Sequence, residues 1–286
     1  NAQYEGIAVY NYDDGEIEVN GGTVENLSTM GPTAIYNYAN GTVTVTGGKV
    51  ESKGNPTSAI YNHSNGSIKV SGGEVITTDG ISSYTITNYS SGSVEISGGI
   101  ISALKGTAIL NSTDGNIKIS SGTVSVSAGY AIYNRSLGTV NISGGTVSAN
   151  IKHTIYNVST GKITISDVAK VTNASNGSSA IYLNAVPSPA AIILEVNGGT
   201  VENTSVPQGY SVYFNTNGTG VTYDNLNNYY NKTSGTVGKV FPAQQIAGAV
   251  DVISSEGLIK DSYASLADAI ENANSGDTLK INSNID

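Results

Sequence analysis

The stretch that decides the fold is Ala34–Ser52, which reads AIYNYANGTVTVTGGKVES. It contains three short segments in which apolar and polar residues alternate, and each segment is bounded by Asn or Gly. Alternation over four or five residues is typical of β-strands with one buried face. The pattern predicts strands near Thr33–Tyr36, Thr42–Thr46 and Lys49–Ser52. Helix is disfavoured because Val, Ile, Thr, Asn and Gly dominate the unit.

The same unit recurs along most of the chain. A single unit cannot satisfy its own backbone groups or bury its apolar face, whereas stacked units can. The repeat therefore predicts an all-β parallel β-helix, a solenoid of about eight to nine three-strand coils of roughly 23–26 residues, over residues 1–245. Its marker is an Asn that a Gly follows four residues later, at Asn11, Asn37, Asn62, Asn88, Asn111, Asn134 and Asn157.

The unit Ala-Ile-Tyr-Asn followed by Gly-Thr-Val-Thr-Val-Thr-Gly-Gly resembles right-handed parallel β-helices of the pectin-lyase-like type. It is similar in particular to repeats of large surface proteins and adhesins of Gram-positive bacteria, and the resemblance covers about residues 6–215. Such helices often carry an asparagine ladder, which the Asn11 to Asn157 series matches position by position. A buried Asn at a bend bonds to its own turn and to the Asn above and below. We expect these seven side chains to face inward as a structural ladder.

Strand alternation turns one tyrosine per coil outward. Thr87 and Leu110 interrupt this row, and a parallel row of small residues that includes Ala34 and Ala59 borders it as a shallow groove. Exposed aromatic rings stack on sugars or dock a protein partner; alternatively, the rings stabilise the sheet through contacts with one another. The candidate binding surface is Tyr10, Tyr36, Tyr61, Tyr133, Tyr156 and Tyr182.

Many β-helices of the pectin-lyase-like type are polysaccharide lyases or hydrolases. A lyase of this type needs a basic residue beside a calcium-binding carboxylate cluster. Arg135 is the single arginine, and it lies in a turn without acidic residues nearby in sequence. The sequence motifs that the resemblance implies for hydrolases are absent. We therefore expect a non-catalytic chain with no cofactor and no metal site.

The alternative is a carbohydrate-active enzyme whose carboxylates assemble from different coils, since hydrolases need two or three acids within about 5–9.5 Å. His63 and His153 are expected in separate polar surface contexts. Asp and Asn at turns are usually solvated corner residues, which is how we interpret the acids near the turns. The candidate carboxylates are Asp13, Asp14, Glu16, Glu18 and Asp114.

A different pattern occupies residues 246–286. A hairpin is predicted at Ala249–Ile253 and Gly257–Ile259, and a strand at Thr278–Ile281. Between them, a helix is predicted over residues 266–273, with Ser265 as its N-cap. This segment resembles the capping helix and first strand that open another β-helix. We expect the repeats to end near residue 215, Phe241 to cover the last coil, and the chain to belong to a longer multi-domain surface protein.

Composition narrows the class of partner. The net charge is −9, and the 13 basic residues are scattered, which excludes a phosphate-binding surface for nucleic acid. No apolar run approaches the ~20 residues of a membrane span, so no membrane insertion is expected. We expect an extracellular module, at the cell surface or attached to the cell wall, that acts as an adhesin or spacer. Its expected partners are glycans or host surface proteins.

Overall fold

The computed structural model describes residues 6–28, 33–54, 56–205, 209–215, 221–222, 225–241, 250–253, 259–263 and 266–281. It confirms the predicted all-β fold as a parallel β-solenoid of about nine turns, with one short helix, α1 (Leu266–Asn272), near the C-terminus. The solenoid strands belong to one continuous hydrogen-bonded sheet whose neighbours pair in parallel.

The three strands predicted for the second coil are observed within one residue, at Thr33–Asn37, Thr42–Val45 and Lys49–Ser52. In chain order the solenoid strands are β1 (Ile7–Asn11), β2 (Glu16–Val19), β3 (Thr23–Asn26), β4 (Thr33–Asn37), β5 (Thr42–Val45), β6 (Lys49–Ser52), β7 (Ser58–Asn62), β8 (Ser67–Val70), β9 (Glu74–Thr77), β10 (Tyr84–Asn88), β11 (Val94–Asn111), β12 (Ile117–Asn134), β13 (Val140–Ile142), β14 (Thr146–Ala149), β15 (Ile155–Asn157), β16 (Ile163–Asn173), β17 (Ser179–Leu183), β18 (Leu194–Asn203), β19 (Tyr210–Phe214), β20 (Tyr230–Val237) and β21 (Val240–Phe241).

Each coil contributes one strand segment to each of three faces. The first face carries the Ile-Tyr-Asn triplet, and its register places Ile35 beside Ile60, Tyr36 beside Tyr61 and Asn37 beside Asn62. Equivalent residues therefore stack in columns along the axis. In β11 and β12 the backbone runs through the second, third and first faces as one long strand.

A continuous column of branched aliphatic side chains fills the interior. The predicted inward residues Ile35, Ile60, Ile109 and Ile132 have no exposed surface, as expected from alternation. Val43 and Val50 from the other two faces are equally buried and belong to the same core. Each coil thus supplies at least one β-branched side chain per face, which suits a pleated and fully buried surface.

Two glycine positions per coil meet different demands. A Cβ at Gly41 would lie 2.2 Å from both Asn11 Nδ2 and the Gly15 carbonyl oxygen, so the Gly after each ladder Asn is required by space. At the second corner, Gly48 adopts φ +72°, the left-handed region that glycine enters without a Cβ penalty.

The solenoid continues past the point where the repeat pattern decays. Strands β20 and β21 pair with β18 and β19, so the expectation that the repeats end near residue 215 is wrong. Phe241 pairs with Tyr213 on the outer aromatic row and does not cover the last coil. Leu226, Tyr229 and Tyr230 join the hydrophobic core near this end instead.

A separate antiparallel sheet follows, with strands β22 (Val250–Ile253), β23 (Ile259–Tyr263) and β24 (Thr278–Ile281). Its central strand β22 pairs with both neighbours, as the predicted hairpin requires for β23. Val250, Val252 and Ala269 of α1 form its small core, distinct from the solenoid core. Ser265, the expected N-cap, lies outside the described residues, as do Ala249 and Gly257.

Candidate functional site

The asparagine ladder is present beneath the first face. Each Nδ2 donates to the Oδ1 of the next Asn along the chain, from Asn11 to Asn37 at 2.8 Å and onwards to the bond from Asn134 to Asn157 at 2.9 Å. Each Nδ2 also donates to the carbonyl of the Gly four residues later, for example from Asn111 to Gly115 at 2.6 Å. The ladder positions are Asn11, Asn37, Asn62, Asn88, Asn111, Asn134 and Asn157.

The tyrosines of the first face point away from this ladder and are partly exposed. Tyr10, Tyr36 and Tyr61 stack with centroid distances of 5.3 and 4.9 Å. A second row runs beside them at the position after each ladder Asn, where Tyr38 and His63 stack at 5.1 Å. We call these rings the N-terminal stack; its members are Tyr10, Tyr12, Tyr36, Tyr38, Tyr61, His63 and Tyr89.

Further along the same face lies a second group, the C-terminal stack. Tyr133 and Tyr156 are 5.1 Å apart, and Tyr182 and Tyr213 are 5.1 Å apart with nearly parallel planes. Here each second-row ring lies three residues before its first-row partner, as Tyr130 does before Tyr133, instead of two residues after it. The members of the C-terminal stack are Tyr130, Tyr133, His153, Tyr156, Tyr182, Tyr210, Tyr213 and Phe241.

Sequence reasoning missed both second rows. The N-terminal one was readable, because Tyr12, Tyr38, His63 and Tyr89 recur with the period of the ladder. The second row of the C-terminal stack depends on the backbone path from the third corner into the first face, and the repeat pattern does not specify that path. The aromatic surface is consequently two rings wide over parts of its length.

The expected groove of small residues is absent where it was predicted. Ala34, Ala59, Ala108 and Ala131 have no exposed surface. A methyl group between larger neighbours has no access to solvent when the strands are ~4.8 Å apart. The exposed part of this face therefore consists of rings and not of a channel beside them.

His153 is embedded in the C-terminal stack, which corrects the expected polar surface context. Its ring lies 4.2 Å from that of Tyr182 and 5.6 Å from that of Tyr156. Its Nδ1 accepts a hydrogen bond from the Ser179 N–H at 3.0 Å, which requires the neutral ring. Burial, together with the charge of Lys152, lowers the pKa of His153 to about 4.

Burial also raises the pKa of several tyrosines in the two stacks. It raises the pKa of Tyr61 to about 12, with smaller contributions from Tyr36 and Tyr89. Burial likewise raises the pKa values of Tyr130, Tyr156 and Tyr182. These four phenols stay protonated at physiological pH, so they present uncharged rings with hydroxyl donors.

A recess of about 350 Å³ separates the two stacks. Thr87 and Leu110 occupy the tyrosine position in two successive coils, in register with Tyr61 on one side and Tyr133 on the other. Although both positions face outward, these residues are only 2% and 4% exposed, so they form the floor. The recess is framed by Tyr61, Tyr84, Tyr89 and Arg135, with the hydroxyls of Ser58 and Ser112 at its sides.

Two of the candidate carboxylates, Asp14 and Asp114, accept hydrogen bonds from the neighbouring coil. Asp114 Oδ1 accepts from Ser136 Oγ at 2.6 Å, and Asp14 Oδ1 accepts from the Asn40 N–H at 3.0 Å. All five candidates, Asp13, Asp14, Glu16, Glu18 and Asp114, are exposed.

A second, smaller cleft on the second face holds one carboxylate, Glu95, among Lys69 and Lys118. Within the described ranges, no three His, Cys, Asp or Glu side chains are grouped to hold a metal ion. In the same part of the chain, no helix has the length and apolar content needed to cross a bilayer.

The chain matches no protein-family model, no curated protein and no solved structure.

Proposed function

We propose that this chain is a non-catalytic extracellular module of a bacterial surface protein that binds glycans through its aromatic face. The observation that carries the proposal is the pair of stacks, in which partly exposed rings form a surface up to two rings wide. Sugar rings pack their C–H faces against aromatic rings, and tyrosine hydroxyls add hydrogen bonds at low entropic cost. The resemblance to adhesin repeats agrees with this role.

The enzyme alternative lacks an observation in its favour. Asp14, Glu16 and Asp114 accept hydrogen bonds from neighbouring coils. Glu51, which is only 4% exposed, is ion-paired with Lys49 at 2.6 Å. A proposal of catalysis needs two acids across a substrate groove, and the cleft of the second face offers Glu95 alone. We therefore favour binding over hydrolysis.

The test measures binding of the full chain to a glycan array. The double variant Tyr133→Ser/Tyr156→Ser is measured in the same way, at a temperature well below its unfolding midpoint. We expect the double variant to lose binding at least tenfold and to be destabilised by about 1–2 kcal/mol, because adjacent ring contacts are removed. Glu95→Ser/Lys118→Ser on the second face is the matched control and should bind normally. Absence of glycan binding by the unaltered chain would overturn the proposal in favour of a spacer.

A further inference from the structure

We infer that the recess between the two stacks binds a terminal sugar that carries a carboxylate, such as a sialic acid, with Arg135 holding the carboxylate. This inference rests on the proposed glycan-binding function and assigns the ligand class of one position on the aromatic face. The recess lies where Thr87 and Leu110 replace the tyrosines of the first face.

The size of the recess favours a small ligand such as a single sugar unit. Its volume of about 350 Å³ lies at the lower end of the roughly 300–1,000 Å³ of small-molecule sites. Tyr61 and Arg135 both line the recess, and the Arg135 guanidinium lies 5.7 Å from the ring centroid of Tyr133.

The lining offers the contacts that a pyranose needs. Leu110 and Thr87 form its floor, and Tyr84 and Tyr89 add aromatic rings to its lining. The Thr87 hydroxyl already bonds to Ser58 Oγ at 2.9 Å, which fixes the floor. Ser112 adds a hydroxyl at the side of the recess for a sugar hydroxyl.

The charge of Arg135 favours a sugar that carries a carboxylate over a neutral sugar. Arg135 is the only arginine in a chain of net charge −9, its side chain is exposed, and it forms no ion pair with any described residue. Its neighbour Asp114 is engaged instead by the Ser136 hydroxyl and the Leu137 N–H. A guanidinium free to make two parallel bonds matches a carboxylate in geometry as well as in charge.

The experiment measures binding of 3′-sialyllactose, its methyl ester and lactose to the full chain by calorimetry. The methyl ester keeps the sugar ring and removes the charge. We expect sialyllactose to bind at least tenfold more tightly than either neutral probe, and Arg135→Gln to abolish that difference. Leu110→Tyr, which refills the missing ring, should exclude sialyllactose, and circular dichroism should show both variants folded.

The outcomes separate this inference from the function on which it rests. If arrayed glycans bind through Tyr133 and Tyr156 but sialyllactose binds no better than its ester, the inference fails and the proposed function stands. An Arg135→Gln variant that retains the full preference for sialyllactose would also overturn it. If no arrayed glycan binds, the proposed function fails and the inference falls with it. An otherwise identical disaccharide ending in glucuronic acid tells whether the site prefers sialic acid over uronic acids.

Discussion

At the scale of single residues, the amide of Asn111 is held at three points. It donates to Gly115 O at 2.6 Å and to Asn134 Oδ1 at 2.9 Å, and it accepts from Asn88 Nδ2 at 2.9 Å, without any exposed surface. A buried polar network in which every group has a hydrogen-bond partner contributes stability. When one member is removed, the groups left without a partner lower the free energy of unfolding.

Asn111→Leu is therefore expected to lower the free energy of unfolding by about 1–3 kcal/mol, because the amide of Asn88 and the carbonyl of Gly115 lose their partners. Chemical denaturation measures the change. Asn150→Leu, at an exposed corner, is the control and should stay within about 0.5 kcal/mol. Equal effects of the two substitutions would contradict the inward position of the ladder.

The glycine after each ladder Asn gives a second residue-scale prediction. A Cβ at Gly115 would lie 2.1 Å from Asn88 Nδ2 and 2.3 Å from the Gly92 carbonyl oxygen, so Gly115→Ala must displace the ladder. We expect a loss of about 1–3 kcal/mol, as for other overpacked sites. Gly177→Ala meets no atom within 4 Å and should leave the thermal midpoint nearly unchanged. A stable Gly115→Ala variant would refute the steric argument.

At the scale of elements, the C-terminal stack makes the solenoid sensitive to acid. The pKa of His153 falls to about 4 in the folded chain from an ordinary value near 6.5, so the unfolded chain binds more protons between these values. Stability attributable to His153 is therefore present above pH 6.5 and is lost as the pH falls towards 4.

We expect the folded chain to lose about 1–3 kcal/mol between pH 7 and pH 4 through His153, a range reduced to allow for its partial exposure. Denaturation curves at several pH values measure the loss. In His153→Gln the amide side chain does not titrate, so this part of the slope should disappear. A slope that is identical in both chains would show that His153 is protonated without cost.

The strands and the ladder were predictable from sequence, and the binding surface was only partly so. Alternation, the Asn period and the following Gly are local signals, and they fixed the strands of the second coil to within a residue. The recess depends on which side chains meet across four coils, as Tyr61, Tyr84 and Arg135 do. The last turn was missed because β20 pairs with β18 through backbone bonds, without repeating its side-chain pattern.

At the scale of the whole molecule, the described residues form two hydrophobic cores. The solenoid core runs from Val19 to Val240, and the small sheet near the C-terminus has its own core around Val250, Val252 and Ala269. Two cores without a shared residue are expected to unfold in separate steps. The division of the chain into residues 1–245 and 246–286 stays a prediction, which separate unfolding steps would test.

Ala269→Asp places a charge in the smaller core and should unfold that sheet alone. The main thermal transition, which reports the solenoid, should keep its midpoint. Ala273→Asp, at the partly buried edge of the same core, should have a weaker effect on the small sheet. If Ala269→Asp shifts the main transition, residues 246–286 cap the solenoid and fold with it.

The asparagine ladder also has a polarity. Every bond between its side chains points the same way, from the amide nitrogen of one coil to the oxygen of the next, until Leu183 replaces Asn at the end of the line. Amide dipoles aligned head to tail add up along the axis, as peptide dipoles do in an α-helix. The line of side chains therefore has an acceptor end at Asn11 and a donor end at Asn157, so its two ends are chemically different.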